Sequence, residues 1–172
     1  DRGDQEHLIK DLYHEIMEIT TNITGADDET RNKFAAPLNT IIKYYARVGE
    51  TASKGVEVYQ RMIALEIARN EISYTTLITS LAKEKKHKLV VDLFKQVQKE
   101  IECDLIFLVA NKAIAGSILH AAAYEKDWES VAYVLTLFTT VHRQHQKYRG
   151  GNEEAQIDAI DLFNLVLATA CR

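Results

Sequence analysis

The side chains in this sequence that invite chemistry are cations and amides rather than nucleophiles. The densest group is Lys83-Glu84-Lys85-Lys86-His87-Lys88. Ammonium groups packed this closely suit phosphate, which is bound largely by Lys and Arg. A solvated turn between helices carries the same kind of run, because lysines keep their charge in water. His142 and His145 stand three apart and could share a helix face. A metal there needs further ligands and none is near, so no metal site and no cofactor are expected. Cys103 and Cys171 lack the paired spacing of a disulfide framework or a zinc site. A reducing compartment is the default, and Cys171 reads as a small core residue. Asn22-Ile23-Thr24 matches a glycosylation sequon, treated as chance because nothing suggests secretion. The sequence holds no phosphate-cradling loop, Ser-His-Asp arrangement or paired-carboxylate motif. The expectation is therefore no enzyme, no catalytic residues and no small-molecule substrate.

Whatever these residues do, helices must position them. The chain has 172 residues, 47% hydrophobic and 27% charged, with one proline and seven glycines. That length fits one domain or one short repeat array, and so few breakers suggest long helices joined by short turns. The apolar spacing predicts an all-α chain of eight helices, at about 5–21, 31–47, 51–66, 72–83, 87–101, 104–124, 127–145 and 153 to the end. Leu8, Ile9, Leu12, Ile16 and Ile19 form the stripe of the first helix. Pro37 marks the true start of regular helix in the second. Ser73 and Asp104 are the expected caps of the fourth and sixth. Trp128, Val131, Val134, Leu135, Phe138 and Val141 form the buried face of the seventh, and Ile157, Ile160, Phe163, Val166 and Leu167 that of the eighth. The stretch 105–124 has the length of a membrane span. Asn111, Lys112 and His120 interrupt it, so it reads as a buried helix, and no membrane span is expected.

The helices repeat. Leu38-Asn39-Thr40-Ile41-Ile42-Lys43-Tyr44-Tyr45-Ala46-Arg47 matches Tyr74-Thr75-Thr76-Leu77-Ile78-Thr79-Ser80-Leu81-Ala82-Lys83, and more loosely the run from Phe163 to Arg172. Gly55-Val56-Glu57-Val58-Tyr59-Gln60-Arg61-Met62 matches Val90-Val91-Asp92-Leu93-Phe94-Lys95-Gln96-Val97, with a looser third copy from Val131 to Phe138. A small or β-branched residue, an apolar pair and one later apolar residue complete each stripe.

These repeats resemble the pentatricopeptide repeat, a helix-turn-helix unit of about 35 residues. Residues 71–104 look like a near-complete copy, with Ser73-Tyr74-Thr75-Thr76-Leu77-Ile78, Leu93-Phe94 and a closing Asp104 where the family pattern wants them. Residues 35–70 form a second copy and 112–146 a degenerate third. Residues 5–21 read as the second helix of a preceding repeat, and 160–172 as the first helix of a further one. The resemblance implies a single array over 1–172, a right-handed α-solenoid with a concave groove. It also suggests a window of a longer organellar protein.

The family binds single-stranded RNA, one base per repeat, and single strands suit such reading because their base edges are free. The resemblance implies base-reading pairs Asn39 with Asn70 and Thr75 with Asp104, and Asn164 in the last copy. Gly116 stands at that place in the third copy and has no side chain to read with. Ala36 and Ile72 would sandwich bases. Arg47, Lys83 and Arg172, at the ends of first helices, would meet phosphates together with Lys86, while Tyr124 holds that place in the third copy. The function so implied is sequence-selective RNA binding in mitochondrial or chloroplast RNA processing, stability, editing or translation, with other proteins of an organellar ribonucleoprotein as partners. The net charge of −4 points the other way. It suits a non-catalytic scaffold for protein contacts, such as a subunit of an organellar ribosome.

Overall fold

The computed structural model describes residues 2–22, 27–48, 51–69, 71–100, 111–149 and 153–171. Among these the regular structure is entirely helical. The helices are α1 (Arg2–Asn22), α2 (Asp28–Asn32), α3 (Ala35–Arg47), α4 (Ala52–Ala64), α5 (Glu71–Lys83), α6 (His87–Glu100), α7 (Lys112–Tyr124), α8 (Trp128–Arg149) and α9 (Glu153–Ala170). The chain divides into two compact units, Asp1–Leu77 and Ile78–Arg172. The division falls within α5.

In the first unit α3 packs against α4. Pro37 lies in the first turn of α3, where its missing N–H leaves no helical bond unmade. Leu38, Ile41, Ile42 and Tyr45 of α3 close on Val58, Tyr59 and Met62 of α4 to form a dry core. Burying each such side chain contributes about 1.5–3 kcal/mol relative to leaving it in water. Gly55 marks the closest approach. A Cβ built there would stand 2.7 Å from Leu77 Cδ2.

The second unit is arranged around α7, which touches α6, α8 and α9. That explains its composition. A helix covered on several sides has no polar face to keep, and Ala115, Ala121, Ala122 and Ala123 are all buried. At Gly116 an added Cβ would meet Leu162 at 3.6 Å and Leu165 at 3.7 Å, both ordinary contacts. Among the described residues no helix is long and apolar enough to cross a membrane.

Two features recur along the chain. The buried set Gly55, Val56, Val58, Tyr59 and Met62 of α4 returns as Val90, Val91, Leu93, Phe94 and Val97 of α6. The helix endings also recur. After α5, Lys85 N–H donates to Ala82 O and Lys86 N–H to Leu81 O. After α7, Lys126 N–H donates to Ala123 O and Asp127 N–H to Ala122 O, and after α4 Glu66 and Ile67 make the same two bonds to Ile63 O and Met62 O. These are Schellman endings. Their left-handed residues are Glu66, Lys85 and Lys126, at φ 54°, 57° and 58°.

Several expectations need correction. The helix expected from 104 begins at Lys112, and Asn111 caps it by accepting from the N–H groups of Ala113 and Ile114. Asp104 itself lies outside the described residues. Ser73 caps nothing. It sits inside α5, which starts two residues earlier. In α1 only Ile16 of the expected stripe is buried, while Leu8, Leu12 and Ile19 are exposed. In α9 the buried residues are Leu162 and Val166, and Ile160, Phe163 and Leu167 face outward. The helix meets its neighbours along a 162–166 line, one step round from the expected stripe. Trp128 opens α8 directly after its cap and is half-exposed, outside the buried face. Cys171 is exposed rather than core. The side chains of Ile157, His142 and His145 lie outside what the structure describes.

Candidate functional site

The lysine run folds into the Schellman turn between α5 and α6. The 6→1 bond from Lys86 N–H to Leu81 O reverses the chain there, and the turn carries its charges on a short, fixed loop. Lys83, Lys85 and Lys88 are exposed, while Lys86 is half-buried and pairs with Glu84 at 2.7 Å. His87 opens α6 and is buried.

This turn forms one wall of a groove of about 830 Å³. A second wall is the last turn of α7, with His120, Tyr124 and Glu125, and Thr169 of α9 closes one side. The two walls meet through rings. His87 lies 4.4 Å from Tyr124 at a 36° tilt, and 5.0 Å from His120 in an edge-on arrangement. His120 and Tyr124 are four residues apart on α7, so the helix repeat aligns them on one face. Tyr124 is 62% exposed although His87 rests against it. Most of the tyrosine side chain is therefore open to solvent.

The imidazole of His87 is held below its ordinary pKa. Burial is the main cause, and His120 and Lys85 act in the same direction, while Glu125 opposes them. Its Nδ1 is buried with no hydrogen-bond partner. Near neutral pH the ring is thus uncharged, and the positive charge of the groove comes from the lysines. The groove combines ammonium groups with an exposed aromatic ring, in a chain whose net charge is −4. Such a surface can hold a phosphate-bearing, flat ligand.

The structure gives the expected site residues different fates. Lys83 and Lys86 come together in this groove. Arg47 is exposed in the last turn of α3. Asn70, Asp104 and Arg172 lie outside the described residues. Asn164, Ala36 and Ile72 are exposed. Thr75 is half-buried and its hydroxyl donates to Ile72 O. Asn39, expected to read a base, is buried, and its Oδ1 accepts from the hydroxyl of Ser73. A buried amide must be satisfied, and Ser73 does this for the oxygen. Gly116 lies against α9 as a packing residue.

The sequence reading missed the joint role of His87, His120 and Tyr124. The i, i+4 spacing of His120 and Tyr124 was the available signal; the approach of His87 depends on tertiary packing. Among the described residues no group of three His, Cys, Asp or Glu side chains could hold a metal ion. No family model matches the chain, and no curated protein or solved structure matches it either.

Proposed function

We propose that this chain is a helical-repeat module that binds single-stranded RNA. The observation that carries the reading is the groove between the α5–α6 turn and α7, where lysines surround an exposed tyrosine ring. Cations that track phosphates, with rings on which bases stack, are the common solution for single strands. The repeated burial pattern and the repeated helix endings support a helical repeat, and the pentatricopeptide resemblance supplies the wider reading. On that reading the array is a right-handed solenoid that acts in mitochondrial, or alternatively chloroplast, RNA processing, stability, editing or translation. Base reading by Asn39 would require its amide to leave Ser73, so the proposal puts the main RNA contact on the groove.

A second reading has its own support. Ile160, Phe163 and Leu167 are exposed along one side of α9. An apolar stripe of this kind suits a protein contact, as in a scaffold within an organellar complex.

A titration against short single-stranded RNA at about 50 and 200 mM salt separates the two. Each phosphate contact contributes about 0.7 to the slope of log affinity against log salt. Replacing Lys83, Lys85 and Lys88 together by alanine should flatten that slope by about 2. No binding at the lower salt would favour the scaffold, and binding with an unchanged slope would move the RNA contact away from the groove.

A further inference from the structure

The groove has two chemically distinct parts, and they suggest how RNA would sit in it. We propose that Tyr124 is a stacking platform for one unpaired RNA base, whose flanking phosphates lie on Lys85 and Lys88 of the other wall. This deepens the RNA-binding reading and rests on it.

Three observations support the assignment. First, the tyrosine ring is already buttressed. His87 supports one face at 4.4 Å, so a base on the other face would complete a three-ring stack. Second, the buttress is itself fixed. His87 is buried, and His120 meets its ring edge-on at 5.0 Å. A platform held in this way loses little freedom when a base lands on it. Third, the cations and the ring line one groove. A nucleotide presents its base and its phosphate at opposite ends and matches that division. The proposed contacts, a ring face and ammonium groups, do not read a base edge. The site should therefore accept any base and favour those that stack well.

The test uses the intact 172-residue chain and an oligouridine carrying a single 2-aminopurine, whose fluorescence falls when it stacks. Wild type should bind and quench. Tyr124→Ala should bind roughly tenfold more weakly, the ordinary loss for one stacked base, and should quench less. Its salt slope should be unchanged, because stacking releases no counterions. Tyr124→Phe should restore both affinity and quenching, which a loss due to the missing hydroxyl would not allow. Far-UV circular dichroism of Tyr124→Ala should match wild type, since the side chain is mostly in water. If wild type binds and Tyr124→Ala binds and quenches equally, the platform is overturned and RNA binding stands. If wild type binds no RNA at low salt, the platform and the RNA reading fall together.

Discussion

His87 shows how one residue couples packing to charge. Its neutral ring fills the space between Tyr124 and His120, and burial holds its pKa below the ordinary value of about 6.5. Below that pH the unfolded chain takes up a proton that the folded chain resists. Stability contributed by the neutral ring is therefore full above about 6.5 and declines as pH falls toward the lower folded value. The groups facing the ring are His120 and Glu125 from α7 and Lys85 from the turn, with Lys83, Lys86 and Lys88 around the groove. His87→Phe keeps a ring against Tyr124 and removes the proton. Urea midpoints of the variant should depend less on pH than those of wild type between about pH 7 and 5.5. Equal dependence would mean that His87 is not the group responsible.

The two packed glycines make a second test at this scale. An alanine at Gly55 would press into Leu77, which is fully buried and has little room to turn aside. Overpacking costs about 1–3 kcal/mol, against a gain of about 1 kcal/mol in helix propensity. Gly55→Ala should therefore destabilise, by up to about 2 kcal/mol. Gly116→Ala meets only ordinary contacts and should stabilise by about 1 kcal/mol. Thermal or urea unfolding of the two variants should move in opposite directions.

At the scale of elements, helix ends carry much of the definition. Asp127 caps α8. It accepts from Ser130 N–H at 3.4 Å and from the Ser130 hydroxyl at 2.9 Å, and pairs with Lys95 at 2.7 Å. Burial alone would raise its pKa, but the bonds from Lys95 and Ser130 outweigh this and hold the carboxyl below its ordinary value. The stability so gained is present above about pH 3.9 and is lost as pH falls through the lower folded value. Asp127→Ala should cost about 1 kcal/mol, with a lower urea midpoint and an unchanged slope. Lys95 is nearly half exposed, so its ion pair contributes little beside the cap.

The helices were legible because their apolar residues recur at helical spacing with few breakers between them. Their faces were less so. In α9, Ile160, Phe163 and Leu167 compete with Leu162 and Val166 for the inner side, and only the neighbouring helices decide. The burial of Asn39 could not be foreseen, because its partner Ser73 stands 34 residues away. The lysine run was legible as charge. The ring stack beside it was not, because His87 and Tyr124 meet only through the packing of the second unit.

At the scale of the molecule, a net charge of −4 is compatible with the proposed RNA contact when the cations are concentrated in one place. Phosphates respond to local potential, and lysines gathered in one groove act within about 10 Å under ordinary salt. The stripe of Ile160, Phe163 and Leu167 on α9 is exposed as well.

Photo-crosslinking is the most direct measurement. The chain would be mixed with single-stranded RNA containing 4-thiouridine, irradiated, and the attached residues mapped by mass spectrometry. The account predicts attachment at Tyr124 and within the Lys83–Lys88 turn. Attachment confined to α3, or none at a salt concentration where binding is measured, would contradict it.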